Sequence, residues 1–319
     1  MPQPIPLGAT PLAKLKGHLV TINDAHCHFF SEGFFGALAR ERAGSSTPDS
    51  VEAITGSLKL EAPGNLTTLA DRWVAELNKH GVNRAALIAS VPGDEDSVAS
   101  AVAKYPDRFV GLFMLNPQQP DAADRCTRAL TELGLHGLCI FPAMHRFALD
   151  SQQAARIFEL AAIHNAKSVF VHCGMLSVGI RKKLGLPSRF DIRLGDPLAL
   201  IPIASTYPDL TFVIPHFAAG FTREGLMAAS LCPNIVFDTS SSNGWIKYHP
   251  GLTLTDVFRQ ALSILGPSQL MFGTDSSFFP RGWQRPIFEQ QCAILRELGV
   301  EGDTQREIFS GTFERIYGA

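Results

Sequence analysis

The sequence predicts an α/β protein with the fold of a distorted (β/α)8 TIM barrel, as a single domain over residues 1–319. Two observations favour this fold: short apolar segments recur along the chain, and amphipathic helical patterns separate them. The length agrees, because barrels of about 250 residues become longer when their loops carry insertions. Two smaller domains would also fit the length alone.

Eight segments have the composition of buried parallel strands. Each is almost continuously apolar rather than alternating, which is typical of strands covered by helices on both faces. Each also ends in polar or turn-forming residues. The segments are residues 19–28, 84–90, 109–116, 137–143, 168–173, 211–217, 235–240 and 270–276.

Amphipathic helices are predicted between these strands. Most patterns open with Asp, Ser or Thr and close with Gly, Asn or Pro, which are common helix caps. The patterns cover residues 66–81, 94–106, 121–134, 151–165, 196–208 and 253–266. An open, doubly wound sheet is the main alternative fold. Its nucleotide-binding versions are disfavoured because the sequence has neither GxGxxG after the first strand nor GxxxxGK(S/T).

Two long segments interrupt the alternation of strands and helices. Residues 29–66 follow the first predicted strand, and residues 173–196 follow the fifth. In a barrel both would lie at the carboxyl ends of the strands, where such loops form lids and substrate walls. Tolerated surface insertions would give the same pattern.

Composition limits the range of functions. A formal net charge of −2 does not favour a nucleic acid or an anionic membrane as partner. No apolar run of about 18 residues predicts a membrane span, and residues 1–19 lack the apolar core of a secretory signal. The six cysteines are scattered without CxxC spacing, which favours free thiols and a cytoplasmic protein.

Polar side chains end several of the predicted strands. In the segment INDAHCHFF, alternation along a strand places His26 and His28 on one face and Cys27 on the other. The remaining strand-end candidates are His172, His216, Asp238 and Asp275. Each alone could be a capping or packing residue. Burying such groups without partners costs about 1–3 kcal/mol each, so a shared metal ion explains the whole set better.

The ligand types restrict the ion. Imidazole nitrogens with one carboxylate suit Zn best, with Mn, Fe and Co as alternatives, whereas the oxygen-only sites of Mg and Ca match poorly. The sequence therefore predicts a divalent metal ion as cofactor. Such an ion lowers the pKa of a bound water to about 7, far below that of bulk water.

The HxH pair on the first strand, the histidines that end strands five and six, and FGTD on strand eight resemble the amidohydrolase superfamily. Within the superfamily, the chain most resembles the amidohydrolase-related branch. This branch includes aminocarboxymuconate-semialdehyde decarboxylase, aromatic-acid decarboxylases and pyrone-dicarboxylate lactonases. It extends from DAHCH to the C-terminal tail, where Thr312 replaces the usual asparagine of the family. We expect this replacement to affect packing rather than chemistry.

The resemblance implies roles for individual residues. The metal ligands would be His26, His28, His172 and Asp275. Asp275 would also accept the proton of the attacking water, and His216 would hold or polarise that water. In some members of the family the histidine at the position of His216 binds metal too.

The fourth predicted strand bears on the number of metal ions. Family members with two metals carry a carbamylated lysine there, whereas this strand, GLCIFPA, has Cys139 and no lysine. We therefore expect a single ion. Cys139 could be a further ligand, although a buried thiol is the simpler interpretation.

Few residues point to substrate recognition. Arg281 follows Asp275 by six residues and could hold a substrate carboxylate as a bidentate pair, although a solvated loop arginine fits equally well. Asn243 is a polar candidate after strand seven. The strand-five insertion adds several cations that could attract anionic substrates, and the loops offer aromatic side chains for a pocket wall.

A metal-dependent hydrolase is the first functional hypothesis. It would cleave a carbonyl, lactone or amide bond of a small carboxylated substrate with metal-activated water. The alternative is a metal-dependent decarboxylase, a lyase, acting on an aromatic or unsaturated acid. A third hypothesis is a barrel that binds metal without catalysis. Beside the small-molecule substrate, the partner we consider is a second copy of the chain, since dimers are the commonest soluble oligomers.

Overall fold

The structure is a computed structural model and describes residues 12–15 and 18–318. Most of the N-terminal segment for which we predicted no secretory signal lies outside these residues. A hairpin precedes the barrel, with β1 (Leu12–Leu15) antiparallel to β2 (His18–Thr21). The predicted first strand, residues 19–28, is therefore two strands that meet at Ile22. The hairpin was not predicted from the sequence.

Eight parallel strands form a sheet whose order follows the chain, from β3 to β10. The strands are β3 (Asn23–Phe29), β4 (Arg84–Ala89), β5 (Phe109–Leu115), β6 (Gly137–Ile140), β7 (Ser168–Val171), β8 (Thr211–Ile214), β9 (Ile235–Asp238) and β10 (Leu270–Met271). Backbone bonds beyond β10 return to β3: Asp275 N donates to His26 O at 2.9 Å, and His28 N donates to Ser276 O at 2.7 Å. The predicted barrel fold is confirmed, and it closes at the strand with the HxH pair.

Helices surround the barrel. They are α1 (Glu32–Ala43), α2 (Val51–Ser57), α3 (Leu66–His80), α4 (Glu95–Lys104), α5 (Ala122–Thr131), α6 (Pro142–His145), α7 (Gln152–Ile163), α8 (Gly179–Lys183), α9 (Ile201–Thr206), α10 (Thr222–Leu231), α11 (Leu254–Leu265), α12 (Arg285–Glu297), α13 (Gly302–Arg306) and α14 (Thr312–Tyr317). None of the helices within the described ranges is long and apolar enough to cross a membrane.

The predicted helices agree with the structure except in one segment. Residues 196–208, predicted as one helix, form a 3-10 turn at Pro197–Leu200 and then the short α9. Pro202 has no N–H to donate to the preceding turn, which prevents one continuous helix. Helices α10 and α12 were not predicted from the sequence.

The two insertions carry helices of their own. The first contains α1 and α2, and the second contains α8. Ser31 and Ser50 cap α1 and α2, because each hydroxyl accepts a backbone N–H three residues later at 3.2 Å. The two helices were not predicted from the sequence, although serine at these positions is a recognised signal for a helix start.

The apolar core has two main layers. One lies between strands and helices, and the other fills the barrel interior. Phe313, Ile316 and Tyr317 on α14 belong to the inner layer, and the Tyr317 hydroxyl lies 2.7 Å from Ser168 Oγ at the start of β7. The C-terminal helix therefore fills the amino end of the barrel. Thr312, at the start of this helix, is fully buried.

Strand β3 is irregular where it carries the histidines. Its register against β4 shifts between Asp24 and Cys27. Ala25 packs inside the barrel and Cys27 outside it, although residues two apart on a regular strand share a face. A register shift of this kind redirects side chains, and His26 and His28 both face one cavity.

Candidate metal centre

A cavity of about 610 Å³ opens where the barrel strands end. Its size is within the range of small-molecule sites, about 300–1,000 Å³. Side chains that follow different strands meet here because the carboxyl ends of parallel strands share one face of a barrel. The proposed ligands and catalytic residues all line it: His26, His28, His172, His216 and Asp275.

Three of these side chains form a compact donor group. The Nε2 atoms of His26 and His28 are 3.3 Å apart. Asp275 Oδ1 lies 3.2 Å from His28 Nε2 and 3.9 Å from His26 Nε2. One ligand atom from each residue lies within 4.8 Å of the other two, a spacing that one ion could bridge.

A second donor group shares His26 and adds His216 and Asp238. Asp238 is fully buried, and its Oδ2 lies 2.5 Å from His26 Nδ1. Ser240 Oγ lies 2.8 Å from His216 Nδ1 and 3.0 Å from Asp238 Oδ2. Since Asp238 occupies one nitrogen of His26, the other nitrogen is left to the cavity. This carboxylate–imidazole arrangement is common behind metal-ligating histidines.

His172 lies beside these groups. Its ring stacks on Phe141 with 5.3 Å between centroids and is 5.3 Å from the His216 ring. Its Nδ1 atom is buried and has no hydrogen-bond partner among the described residues. Within the described chain, His172 and Cys139 belong to neither donor group. A buried ring nitrogen without a partner is costly, which fits a position that binds a metal or another polar group.

The electrostatics of four of the candidate groups favour the protonation states that metal ligands need. Burial alone would raise the pKa of Asp275, but the hydrogen bond with His28 and the charges of the nearby histidines outweigh it and lower that pKa. Burial lowers the pKa values of His28, His172 and His216, whereas in His26 the charge and hydrogen bond of Asp238 outweigh burial and raise the pKa. At neutral pH Asp275 is therefore a carboxylate and His28, His172 and His216 are neutral imidazoles, which can bind a metal without first losing protons.

His216 begins a left-handed stretch of backbone. From His216 to Ala219 the φ angles lie between 41° and 61°, and Gly220 follows at 99°. Left-handed backbone costs L-residues about 1–2 kcal/mol each, so neighbouring contacts must stabilise this turn. Met175 N, at the start of the second insertion, donates to Ala219 O at 2.8 Å. The second insertion therefore helps to fix the backbone that carries His216.

Arg281 lies at the exposed edge of the cavity. Its guanidinium carbon is 4.3 Å from the centre of the Phe278 ring. Nη2 donates to Ser277 Oγ at 2.5 Å and to Asp275 O at 3.4 Å. The structure thus places the predicted carboxylate-binding arginine on the loop that carries the candidate ligand Asp275.

Asn243 has a different setting from the one we predicted. It is buried, it is not part of the cavity wall, and its φ of 49° is left-handed. Its Oδ1 accepts from Trp245 Nε1 at 3.0 Å, and its Nδ2 donates to Ser241 O at 3.1 Å. The side chain holds its own loop and orients Trp245, which does line the cavity.

Sequence comparison identifies the family. A family model described as amidohydrolase matches residues 23–319, which is nearly the whole chain. The chain belongs to the amidohydrolase family. This confirms the resemblance inferred from the HxH pair and the FGTD segment.

Several solved structures share this fold. 5-Carboxyvanillate decarboxylase from Sphingomonas paucimobilis matches with a TM-score of 0.63 and 18% identity, over 93% of this chain and 99% of that one. A dihydroxybenzoic acid decarboxylase from Polaromonas sp. JS666, with bound manganese and the inhibitor 2-nitroresorcinol, matches with a TM-score of 0.60 and 17% identity, over 93% of this chain and 96% of that one. A probable 2-pyrone-4,6-dicarboxylic acid hydrolase from Acinetobacter baumannii, with citric acid bound, matches with a TM-score of 0.58 and 13% identity, over 94% of this chain and 100% of that one. At these identities the likeness establishes the fold alone.

Two serines of this amidohydrolase contact the candidate ligands and were missed in the sequence. Ser90 Oγ, just beyond β4, lies 2.7 Å from His28 Nδ1. Ser240, two residues beyond β9, contacts His216 and His26. Both follow the ends of barrel strands, the same signal that identified the histidines. Serine is too common at strand ends for that signal to be decisive.

Gly174 offers a test of the contact between the second insertion and the left-handed turn. Its φ is 74°, and a Cβ there would lie 2.0 Å from Ala218 O. Gly174→Ala should therefore lower the free energy of unfolding by about 2 kcal/mol or more, as measured by chemical denaturation. Gly185→Ala is the matched control, since Gly185 has a φ of 71° and no atom lies within 4 Å of its added Cβ. Equal stability of the two variants would contradict the contact.

Proposed function

We propose that the protein is a divalent-metal-dependent decarboxylase of small aromatic or unsaturated carboxylic acids. One observation carries the proposal: the candidate metal centre and the Arg281 guanidinium, stacked on Phe278, line the same cavity. A site of this kind can bind a carboxylate at its edge and a second polar group of the substrate at its base. The decarboxylases among the structures of similar fold support this choice.

In this proposal the metal ligands are His26, His28 and Asp275, and His172 completes the set. The donors fit a borderline divalent ion, because they are imidazole nitrogens and one carboxylate. The unpartnered, buried Nδ1 of His172 supports its assignment to the set. Zn remains our first expectation. Mn is the alternative that the comparison with solved structures supports, since the decarboxylase from Polaromonas sp. JS666 has manganese bound.

When bound, the ion would act as a Lewis acid that polarises a substrate oxygen. The remaining work belongs to side chains of the cavity. Arg281 would pair with the substrate carboxylate, and the aromatic walls would contact the substrate ring. One proton must replace each carbon dioxide on the substrate carbon. Because Asp275 is ionised at neutral pH, it would first take this proton from a hydroxyl group of the substrate and then deliver it to the carbon, and the product hydroxyl would regain a proton from solvent on release. His216 would act as a positioning residue.

Hydrolysis of a lactone or related carbonyl bond is the second candidate, and the state of Asp275 favours it. The lowered pKa of this carboxyl group keeps it ionised at neutral pH, as a general base for water must be. The same group would then return the proton to the leaving oxygen. The probable pyrone-dicarboxylic acid hydrolase of similar fold supports this alternative.

Elemental analysis tests the metal centre. We expect close to one divalent ion per chain in the wild type, and a large loss in His26→Ala and Asp275→Ala. Asp238→Asn should weaken metal affinity by about 10–100-fold, because it removes the partner that orients His26. His164→Ala, at the end of α7, is the control and should keep its metal. A wild type that stays metal-free after reconstitution would remove the basis for both candidate reactions.

A substrate panel separates the two reactions. Protein reconstituted with Mn or Zn would be incubated with 5-carboxyvanillate, 2,6-dihydroxybenzoate and 2-pyrone-4,6-dicarboxylate. Release of carbon dioxide from the aromatic acids, abolished in Asp275→Asn, is the expected result. Opening of the pyrone ring without carbon dioxide would instead establish the hydrolase, and the decarboxylase proposal would be wrong.

Arg281→Gln tests recognition of the carboxylate. Losing a charge-assisted pair at an exposed edge of the cavity should raise KM about tenfold, which corresponds to about 1.4 kcal/mol. The effect on kcat should be smaller, since the arginine binds the ground state too. Arg285→Gln is the control, because Arg285 pairs with Glu289 on the outer helix α12. If KM stays unchanged in Arg281→Gln, the carboxylate binds elsewhere.

A further inference from the structure

The two insertions form a hydrophobic cluster of their own, apart from both layers of the barrel core. The buried members from the first insertion are Phe34, Phe35, Leu38, Ala39, Ile54 and Leu58, and those from the second are Leu184 and Leu186. We call residues 29–66 and 173–196 together the cap. Side chains from both halves share this cluster, so neither half buries its apolar face alone.

One ion pair joins the two halves of the cap. Arg181 on α8 donates to both oxygens of Glu41 on α1, from Nη1 at 2.6 Å and from Nη2 at 2.5 Å. The Arg181 side chain is only 18% exposed, and Nη2 also donates to Pro187 O at 2.8 Å. An ion pair in which a mostly buried arginine makes two hydrogen bonds is held in a more fixed geometry than an ordinary ion pair on the surface.

The cap also forms part of the cavity wall. Its first half contributes Phe30, Phe34, Leu58 and Leu60, and its second half contributes Leu176, Val178, Ile180 and Lys183. A shift of one half relative to the other would therefore change the shape of the space above the candidate metal centre.

Each half is tied to the barrel at separate points. In the first half, the Ser31 hydroxyl donates to Asp94 at 2.5 Å and Glu61 N donates to Phe279 O at 3.0 Å. In the second half, Asp191 N donates to Ala143 O at 2.9 Å. These anchors fix the ends of the halves but not their faces toward each other. The shared cluster and the Glu41–Arg181 pair provide that contact.

We propose that the two insertions act as one cap and that Glu41 and Arg181 are positioning residues, which hold its halves closed over a bound substrate. Neither residue is among those lining the cavity, so both would act through the wall residues on α1 and α8. Loops that close over a substrate commonly control its capture and the release of product. The inference rests on the proposed function only for the identity of the molecule that the cap encloses.

Amide hydrogen exchange on the full chain tests the cap without any substrate. Arg181→Gln should increase exchange by about three- to fivefold in its own segment, 179–186, and also across residues 32–58, because the halves lose their shared anchor. Glu41→Gln should give the same pattern. An increase confined to the segment that carries the substitution would overturn the proposal.

Matched controls remove one ion pair within each half. Arg193→Gln removes the pair with Asp191 inside the second half, and Arg42→Gln removes the pair with Asp49 inside the first. Neither should change exchange in the other half. The double exchange Glu41→Arg with Arg181→Glu should recover protection relative to Arg181→Glu alone. A general loss of structure would not be recovered by reversing the charges.

Kinetics provide the second readout. For any acid that the wild type converts, Arg181→Gln should raise KM while kcat is retained, because the cap holds the substrate less firmly. If the protein converts no acid, the exchange experiment still decides the cap. If it converts acids and the variants leave both exchange and KM unchanged, the proposed function stands and the cap proposal is wrong.

Discussion

The contact between His26 and Asp238 is the constraint on which the site depends. Asp238 is fully buried on β9, and a buried carboxylate is tolerated only where donors satisfy its oxygens. Ser240 N donates to its Oδ1 at 2.7 Å, and His26 Nδ1, from β3, lies 2.5 Å from its Oδ2. With Nδ1 held inside the protein, Nε2 of His26 faces His28 and Asp275. The barrel interior therefore determines the donor geometry at its mouth.

Departures from regular backbone are concentrated around this site. The register of β3 shifts between Asp24 and Cys27, around His26. The segment after β8 is left-handed from His216 onward, and Asp275 has a φ of 60°. Straight parallel strands would direct their last side chains alternately inward and outward, whereas these irregularities turn three polar groups toward one cavity. Such strained residues persist where the surrounding contacts hold them, as Met175 does for the turn after His216.

The sequence was informative where one chemical type recurs at equivalent positions. Apolar strands that end in His172 or Asp275 identify both the barrel and the polar residues at its mouth. The sequence-based predictions were incomplete where the structure depends on contacts between segments that are distant along the chain. The apolar face of α1 packs on the other insertion, so its helix could be inferred only from the Ser31 cap. Asn243 looked like a ligand-binding residue, but its left-handed backbone and its bond to Trp245 are properties of a loop conformation that spacing does not encode.

The cap and the chemistry are linked through water. Decarboxylation needs one proton at carbon and no water, and a carboxylate removed from bulk solvent loses hydration that its uncharged product does not need. Hydrolysis needs a water molecule to remain beside Asp275 after the substrate binds. Both reactions can use the same histidines, so the donor cluster alone does not select between them. The selection then depends on how completely the halves joined by Glu41 and Arg181 exclude solvent. The cavity wall of both halves is mostly apolar, with Phe34 and Ile180 toward the cavity and Lys183 as the charged exception, which favours the drier site and therefore the decarboxylase.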